Sequence, residues 1–280
     1  MTAGMSLKPE HFDHAVNAKQ DGLWYEVHIE NYFMPGGPRR QFLNELNQSH
    51  PISFHGVGAS LGGSKLPDLQ HLKKVKNLID EVNPVLVSEH ASWSQHQNTY
   101  FADLLPLPKT KQAMEQLING VDAYQNAIGR SISIENPTNY LPFISEMDEP
   151  DFLVEISKKT GCGILLDITN IHISHINTGI DSQKYLDAIP SDRVTEIHVA
   201  GFDADENFGS KLLIDSHGSQ VPDIIWHQLK QALEKFNAPV LIERDTNIPS
   251  FDELLSERNS AHQIIKSFQE TQTTVKLANA

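Results

Sequence analysis

The chain has 280 residues, 39% of them hydrophobic, enough for one large α/β domain or two small ones. Its 22 basic and 36 acidic residues give a formal charge of -14, which argues against a general binder of phosphate backbones. The only cysteine, Cys162, excludes an intrachain disulfide and any cysteine-based zinc or iron–sulfur site.

The N-terminus, MTAGMSLKPEHFD, has no basic stretch leading into an apolar one, so no secretory signal is expected. No apolar run approaches the ~20 residues that span a bilayer. The chain reads as cytoplasmic, without membrane or nucleic-acid partners. The first strand-like run, Gly4 to Pro9, is short. The second, Leu23 to Glu30, ends in YEVHIEN, where Glu26, His28 and Glu30 share one face and Asn31 follows. Pro51 to Val57 contains His55, and a glycine-rich loop follows it. Leu72, Val75, Ile79 and Val82 then lie on one helical face. Pro84 to His90 is the fourth strand. After it, Trp93, Tyr100 and Phe101 in an aromatic loop suit either ordinary packing or a peptide-binding wall.

A second helical pattern carries Met114, Leu117, Ile118, Val121, Tyr124 and Ile128. Strands are then expected at Ser131 to Asn136, Gly163 to Asp167, Val194 to Ala200 and Pro239 to Arg244. Helices are expected from Pro222 to Phe236 and from Phe251 to about Phe268. Cys162, at the start of the GCGILLD run, reads as a small core residue rather than a nucleophile. Residues 271–280 form a polar tail. Eight strands alternating with helices, with no linker between them, imply a single-domain (β/α)8 barrel over residues 1–270. An open doubly wound sheet would need a phosphate-binding glycine turn. Gly56, Gly58, Gly62 and Gly63 have the wrong spacing for one.

Six of these strands end in an acid or a histidine: His55, His90, Glu135, Asp167, His198 and Glu243. In a parallel barrel all six converge at the C-terminal mouth. Three imidazoles and three carboxylates aimed at one point repel and resist desolvation unless a cation joins them. Structural ion pairs are the alternative, but Arg193 and Arg244 are the only basic residues nearby in these strands. Asn170, just past the sixth strand, and Asp215 with His217, in the connection before the last unit, bring the donors to nine. DSHG standing alone would serve equally as a turn. Nine donors exceed the needs of one ion and suit two or three, with Glu135 the expected bridge and Glu135, Asp167 and His198 at the catalytic centre. Nitrogen and oxygen donors without thiolate suit iron, manganese or zinc. Glu26, His28, Glu30 and Asn31 are expected to support the ligands or touch substrate, with structural ion pairs an equal alternative.

The segments YEVHIENYF, PISFHGVGASLGG, LVSEHASWS, IENPTNYL, GCGILLDITNI, VTEIHVAG, LLIDSHGS and LIERDTNIP occur in this order. Together they resemble the multinuclear non-haem iron-dependent oxidative enzymes, over about Ala3 to Phe268. That family includes the oxygenase of methanobactin biosynthesis. The resemblance implies a xylose-isomerase-like TIM barrel holding two or three irons on the same nine donors. It implies that a peptide cysteine thiolate binds iron, that dioxygen is used, and that hydrogen is taken from the cysteine Cβ. It also implies a cysteine-containing precursor peptide as substrate and a small partner protein that captures the leader. His172 departs from the pattern, which has an aromatic residue there, often Tyr; this bears on substrate choice. The competing expectations are a zinc- or manganese-dependent isomerase or hydrolase on a xylose-isomerase or endonuclease IV-like barrel, and a metal-binding module without turnover.

Overall fold

The computed structural model describes residues 1–96, 99–143 and 145–278, with side chains up to residue 270. In chain order the strands are β1 (Ala3–Ser6), β2 (Tyr25–His28), β3 (Ile52–Gly56), β4 (Leu86–His90), β5 (Ser92–His96), β6 (Thr99–Pro106), β7 (Ser133–Glu135), β8 (Gly163–Asp167), β9 (Val194–Ala200), β10 (Asp203–Asp205), β11 (Gly209–Ile214) and β12 (Val240–Glu243). β1, β12, β9, β8, β7, β4, β3 and β2 close in that order into a barrel with every pairing parallel. The expected barrel is therefore the observed one.

The strands are short and almost wholly buried, as parallel strands between a packed interior and a helical coat must be. The coat follows from local signals. Asp68 accepts the amide of His71 to start the helix Leu69–Val82, which stops at left-handed Asn83. Thr110 caps Lys111–Ile128, and Gly129, with φ of 74°, ends it. The apolar faces of both helices are buried, including the positions that the helical spacing picks out except Ile118, which is half-buried.

Three features depart from the expected plan. The aromatic segment after β4 is an antiparallel hairpin, β5 with β6, and a second hairpin, β10 with β11, follows β9. Their exposed faces carry no clean alternation of apolar and polar residues, so the strand period is masked. The second departure is at β2, which stops at His28; the chain turns there into the short helix Ile29–Tyr32. Glu30 thus leaves the strand face it was expected to share. The last helix runs from Phe251 to Ala278, through the segment read as a polar tail.

The register sets the site. His28 lies beside His55, His90 beside Glu135, and Asp167 beside His198 in neighbouring strands. One end of the barrel therefore carries the titratable residues.

Candidate metal centre

Alternate residues of each strand face the barrel axis, and two polar layers result. The deeper layer contains Glu26, Ser53 and Glu196, and His198, one inward step above Glu196, links it to the upper layer; all four are buried. Ser53 donates to Glu26 Oε2 at 2.8 Å. His198 Nε2 stands 3.3 Å from Glu26 Oε1 and 3.6 Å from Glu196 Oε1, and its Nδ1 is 3.2 Å from Glu243 Oε2.

The upper layer begins with His55, His90 and Glu135. Both imidazoles place Nε2 at 3.3 Å from Glu135 Oε2. Their other nitrogens are engaged from behind. His90 Nδ1 lies 3.1 Å from the carbonyl of Gly56, which can only accept, so Nδ1 carries the proton. His55 Nδ1 lies 2.7 Å from Ser88 Oγ, whose own hydrogen points to the Phe54 carbonyl at 3.5 Å. Both Nε2 atoms thus turn lone pairs toward a carboxylate oxygen that has no hydrogen-bond partner. Burial pushes His90 down to about 4, against the support of its bond to Gly56. Burial, with His90 and His198 adding to it, holds His55 well below the usual imidazole range. Two neutral imidazoles and one carboxylate, all presenting lone pairs to one point, form a slot for a cation.

Asp167 extends the set. It caps the helix Ile168–Thr178 through Oδ1, which accepts the Asn170 amide at 2.6 Å, and its Oδ2 has no partner. Burial pushes Asp167 up to about 7 and Glu196 up to about 8. Burial also pushes Glu135 well above the carboxylate range, with Asp167 and Glu243 reinforcing it against His198. Burial opposes charge on His198 and His217 as well, but carboxylates win. Glu26, Glu196 and Glu243 hold His198 well above the ordinary value, and Asp215, Glu243 and Asp245 do so for His217. Glu243, buried among these imidazoles, is held well below the usual range by His217 and His198.

Asp215 and His217 follow β11, and their side chains meet at 2.7 Å. His217 takes a left-handed φ of 46°, an uncommon backbone for a residue with a Cβ. Its Nδ1 faces Asp245 Oδ2 at 3.2 Å and Glu243 Oε2 at 3.5 Å. Thr138 lies within hydrogen-bond distance of both Asn170 Oδ1 and Asp215 Oδ2, and Asn170 Nδ2 donates to Glu135 Oε1 at 3.2 Å. Ligand atoms group within 4.8 Å of one another in three overlapping sets: His55, His90 and Glu135; Glu135, Asp167 and His198; Asp167, His217 and Glu243. Two more sets, Glu26 with Glu196 and His198, and His28 with Glu243 and Asp245, adjoin them. His198, Asp215 and His217 stand in close ion pairs, whereas buried oxygens on Glu135, Asp167 and Glu196 have no hydrogen-bond partner and suit a cation.

All nine expected donors therefore gather at one end of the barrel. A cavity of about 260 Å³ opens above them, with His28, His55, His90, Glu135, Asn170, Asp215, His217, Glu243 and Asp245 in its wall. Asp167 and His198 lie beneath, outside that wall. Glu26 and His28 join the assembly. Glu30 does not: its Oε1 accepts the amides of Val57 and Gly58 at 3.1 and 2.8 Å and steadies the loop after β3. Asn31 is exposed on the turn after β2. His172 packs its ring 5.2 Å from Phe202, with Nδ1 3.3 Å from Gln228 Nε2, and is not part of the cavity wall. Asp245, Thr138, Tyr140 and Asp103 are wall residues that strand patterning missed. Asp245 alone had a signal, two residues after Glu243. Cys162 is buried just before β8, at the opposite end of that strand from Asp167, and burial pushes its thiol up to about 11. Cys162→Ser should leave metal content and turnover unchanged, which metal analysis and an activity assay check.

Known proteins share the barrel and, at higher identity, the family. Solved structures with the same fold include D-psicose 3-epimerase from Clostridium cellulolyticum H10, with a TM-score of 0.59 at 13% identity, covering 96% of this chain and 99% of that one. Endonuclease IV from Thermus thermophilus gives 0.57 at 13%, covering 97% and 100%. At such identities the likeness is one of xylose-isomerase-like barrel fold alone. Among relatives, a UPF0276 protein of Caulobacter sp. (strain K31) is 42% identical over 263 residues, 93% of this chain and 95% of its own length. A UPF0276 protein of Psychromonas ingrahamii is 40% identical over 269 residues, 95% of each. A family model described as RiPP precursor modification enzyme MbnB/TglH/ChrH matches residues 2–266. The chain thus belongs to the MbnB/TglH/ChrH family of enzymes that modify the precursors of ribosomally made peptides.

Proposed function

We propose that this enzyme uses two or three iron ions and dioxygen to modify a cysteine of a ribosomally made precursor peptide. The observation that carries the reading is the pair of Nε2 lone pairs from His55 and His90 turned on the unpartnered Oε2 of Glu135. Three overlapping donor sets supply room for up to three ions, with Glu135 and Asp167 each belonging to two sets. Bound iron would supply the electrons that dioxygen needs and an open position for a thiolate. The chain's own groups do the rest. Ser88 and the Gly56 carbonyl fix the imidazoles. Glu26 and Glu196 stand behind His198 and orient it. Asn170 holds Glu135, and Thr138 links Asn170 to Asp215. The cavity above these groups admits a side chain the size of cysteine from outside. No helix among the described residues is long and apolar enough to cross a membrane. In this reading a small partner protein delivers the peptide by its leader.

The test is anaerobic. A cysteine-containing precursor peptide added to ferrous protein should change the iron optical spectrum before oxygen enters, and its Cys→Ser form should not. Oxygen uptake should then require the peptide. Absence of any spectral response to thiol peptides would sink the reading. Zinc or manganese at full occupancy, with no oxygen uptake, would favour the isomerase or hydrolase alternative instead.

The loop donors give a separate prediction. Asp215 and His217 sit on a loop, and loops open more readily than barrel strands. Replacing both by Ala should remove one ion and leave the ions on His55, His90 and Glu135 in place. Unchanged metal stoichiometry in the double variant, measured by elemental analysis, would refute this placement.

A further inference from the structure

A second cavity, of about 430 Å³, shares a loop with the first. Pro137, Thr138 and Tyr140 line the donor cavity. Asn139, Leu141 and Phe143, on the same loop, line the second. The buried polar groups at the floor of the second cavity are paired with one another. Lys109 Nζ is 2.6 Å from Glu149 Oε2 and donates to Asn139 Oδ1 at 3.0 Å, while the Tyr185 hydroxyl donates to Glu149 Oε1 at 3.0 Å. No unpaired charge is left among these groups for an ion. The apolar lining is the unusual part. Leu141 is 69% exposed and Phe143 43% exposed, although each borders a preformed recess. Exposed apolar side chains around a recess mark a site for an apolar group. Asp148 and Asp151 stand at its edge, and Asp148 starts the helix Glu149–Thr160 without capping it.

We propose that this recess holds an apolar side chain of the precursor peptide, at a set spacing from the modified cysteine, with a basic residue of the peptide against Asp148 and Asp151. The assignment rests on the peptide-modifying function proposed above. Continuity supports it: successive residues of one loop alternate between the walls, Pro137, Thr138 and Tyr140 on the donor cavity and Asn139 and Leu141 on the recess, so one extended peptide can lie along both. Size supports a side chain over a protein partner, because a stable protein interface needs roughly 800 Å² per partner, far more than one recess offers. Charge supports a basic neighbour, since the lining sets Asp148, Glu149, Asp151 and Asp181 against Lys109 and Lys184, and Lys109 is already paired with Glu149.

The probes are short synthetic peptides with one cysteine and one phenylalanine at every spacing, flanked by either lysine or glutamate. Binding to the iron-loaded protein is read by fluorescence anisotropy. One spacing, with lysine, should bind best. Leu141→Asp and Phe143→Asp, made separately because either could disturb the loop, should each weaken that peptide about tenfold with metal content unchanged. Asp148→Lys with Asp151→Lys should turn the preference toward the glutamate-flanked peptides. Equal affinity at all spacings, or no change in either apolar variant, overturns the proposal, as does an unaltered charge preference in the reversed variant. The iron spectrum separates this from the broader reading. If the spectrum responds to thiol peptides while anisotropy ignores spacing, the recess assignment fails and the function stands. If the best-spaced peptide binds and weakens in the variants but the spectrum is silent, the recess stands and the iron chemistry fails.

Discussion

Glu135→Gln should cost more than one metal ion and lower peptide modification by well over about a hundredfold, beyond what removing a group behind a ligand costs. Glu135 belongs to two of the donor sets, and its Oε2 is the shared neighbour of His55 and His90 at 3.3 Å. Glutamine keeps the shape but presents an amide in place of an anionic bridge. Asn170 Nδ2 could still donate to the remaining oxygen, so the local packing survives. The metal-free fold should be as stable as the parent or more so, because a carboxylate resisting burial has been removed. Thermal unfolding and elemental analysis therefore move in different directions. Full metal occupancy in a folded Glu135→Gln protein would count against a coupled cluster. So would loss of a single ion with the others and the activity retained.

What the sequence revealed of this site, and what it hid, divides along the strand period. His55, His90, Glu135, Asp167, His198 and Glu243 were legible because a strand ending fixes which face its last residues share. Glu26 and His28 were legible on the same ground. Glu30 obeyed the same spacing, yet the chain coils into the short helix Ile29–Tyr32 before reaching it, and its carboxylate went to two loop amides. A parity argument fails wherever the strand stops early, and nothing local in YEVHIEN marks that stop. Thr138, Tyr140 and Asp103 were illegible for another reason. They sit on loops and a hairpin, where position depends on the fold and not on a repeat. Asp167 shows a residue with two duties. One oxygen starts a helix and the other has no partner, and only the first has a sequence signature.

The barrel itself was easier to read than its decoration. Buried β-branched runs alternating with amphipathic helices permit few architectures, and connections in parallel sheets are right-handed. The hairpins β5–β6 and β10–β11 lie outside that logic, because neither contributes to the closed sheet. His172 illustrates the limit of a resemblance read residue by residue. The substitution from an aromatic residue falls on a side chain stacked beside Phe202, outside the cavity wall, so the structure gives no direct route from His172 to substrate choice.

Metal-free protein should lose stability as pH rises from about 6.5 to 8, by several kcal/mol, and metal should abolish the loss. Asp167 has its folded value raised from 3.8 to about 7, and Glu196 from 4.5 to about 8. A raised folded value means that the folded state holds protons the unfolded chain has released. Stability is then full below the unfolded value and is lost as pH climbs toward and through the folded one. His198 and His217, also raised, act in the same direction above 6.5. His55 and His90 act oppositely. Their folded values are lowered, so they add stability with rising pH, but only up to the ordinary imidazole value of 6.5. Below 6.5 the two groups of residues offset one another, and the opposing gain fades within about a unit above it. For Asp167 alone the whole shift corresponds to about 4 kcal/mol at 1.36 kcal/mol per unit, the last part of it falling inside this window. A divalent cation replaces these protons, so the charged carboxylates become ligands instead of unpaired anions. The gap in melting temperature between loaded and metal-free protein should therefore widen steadily between pH 6.5 and 8. Glu196→Gln should narrow that gap more at pH 8 than at pH 6.5. A gap independent of pH, or metal-free protein that gains stability over this window, would show that the buried carboxylates are held by ion pairs and need no cation.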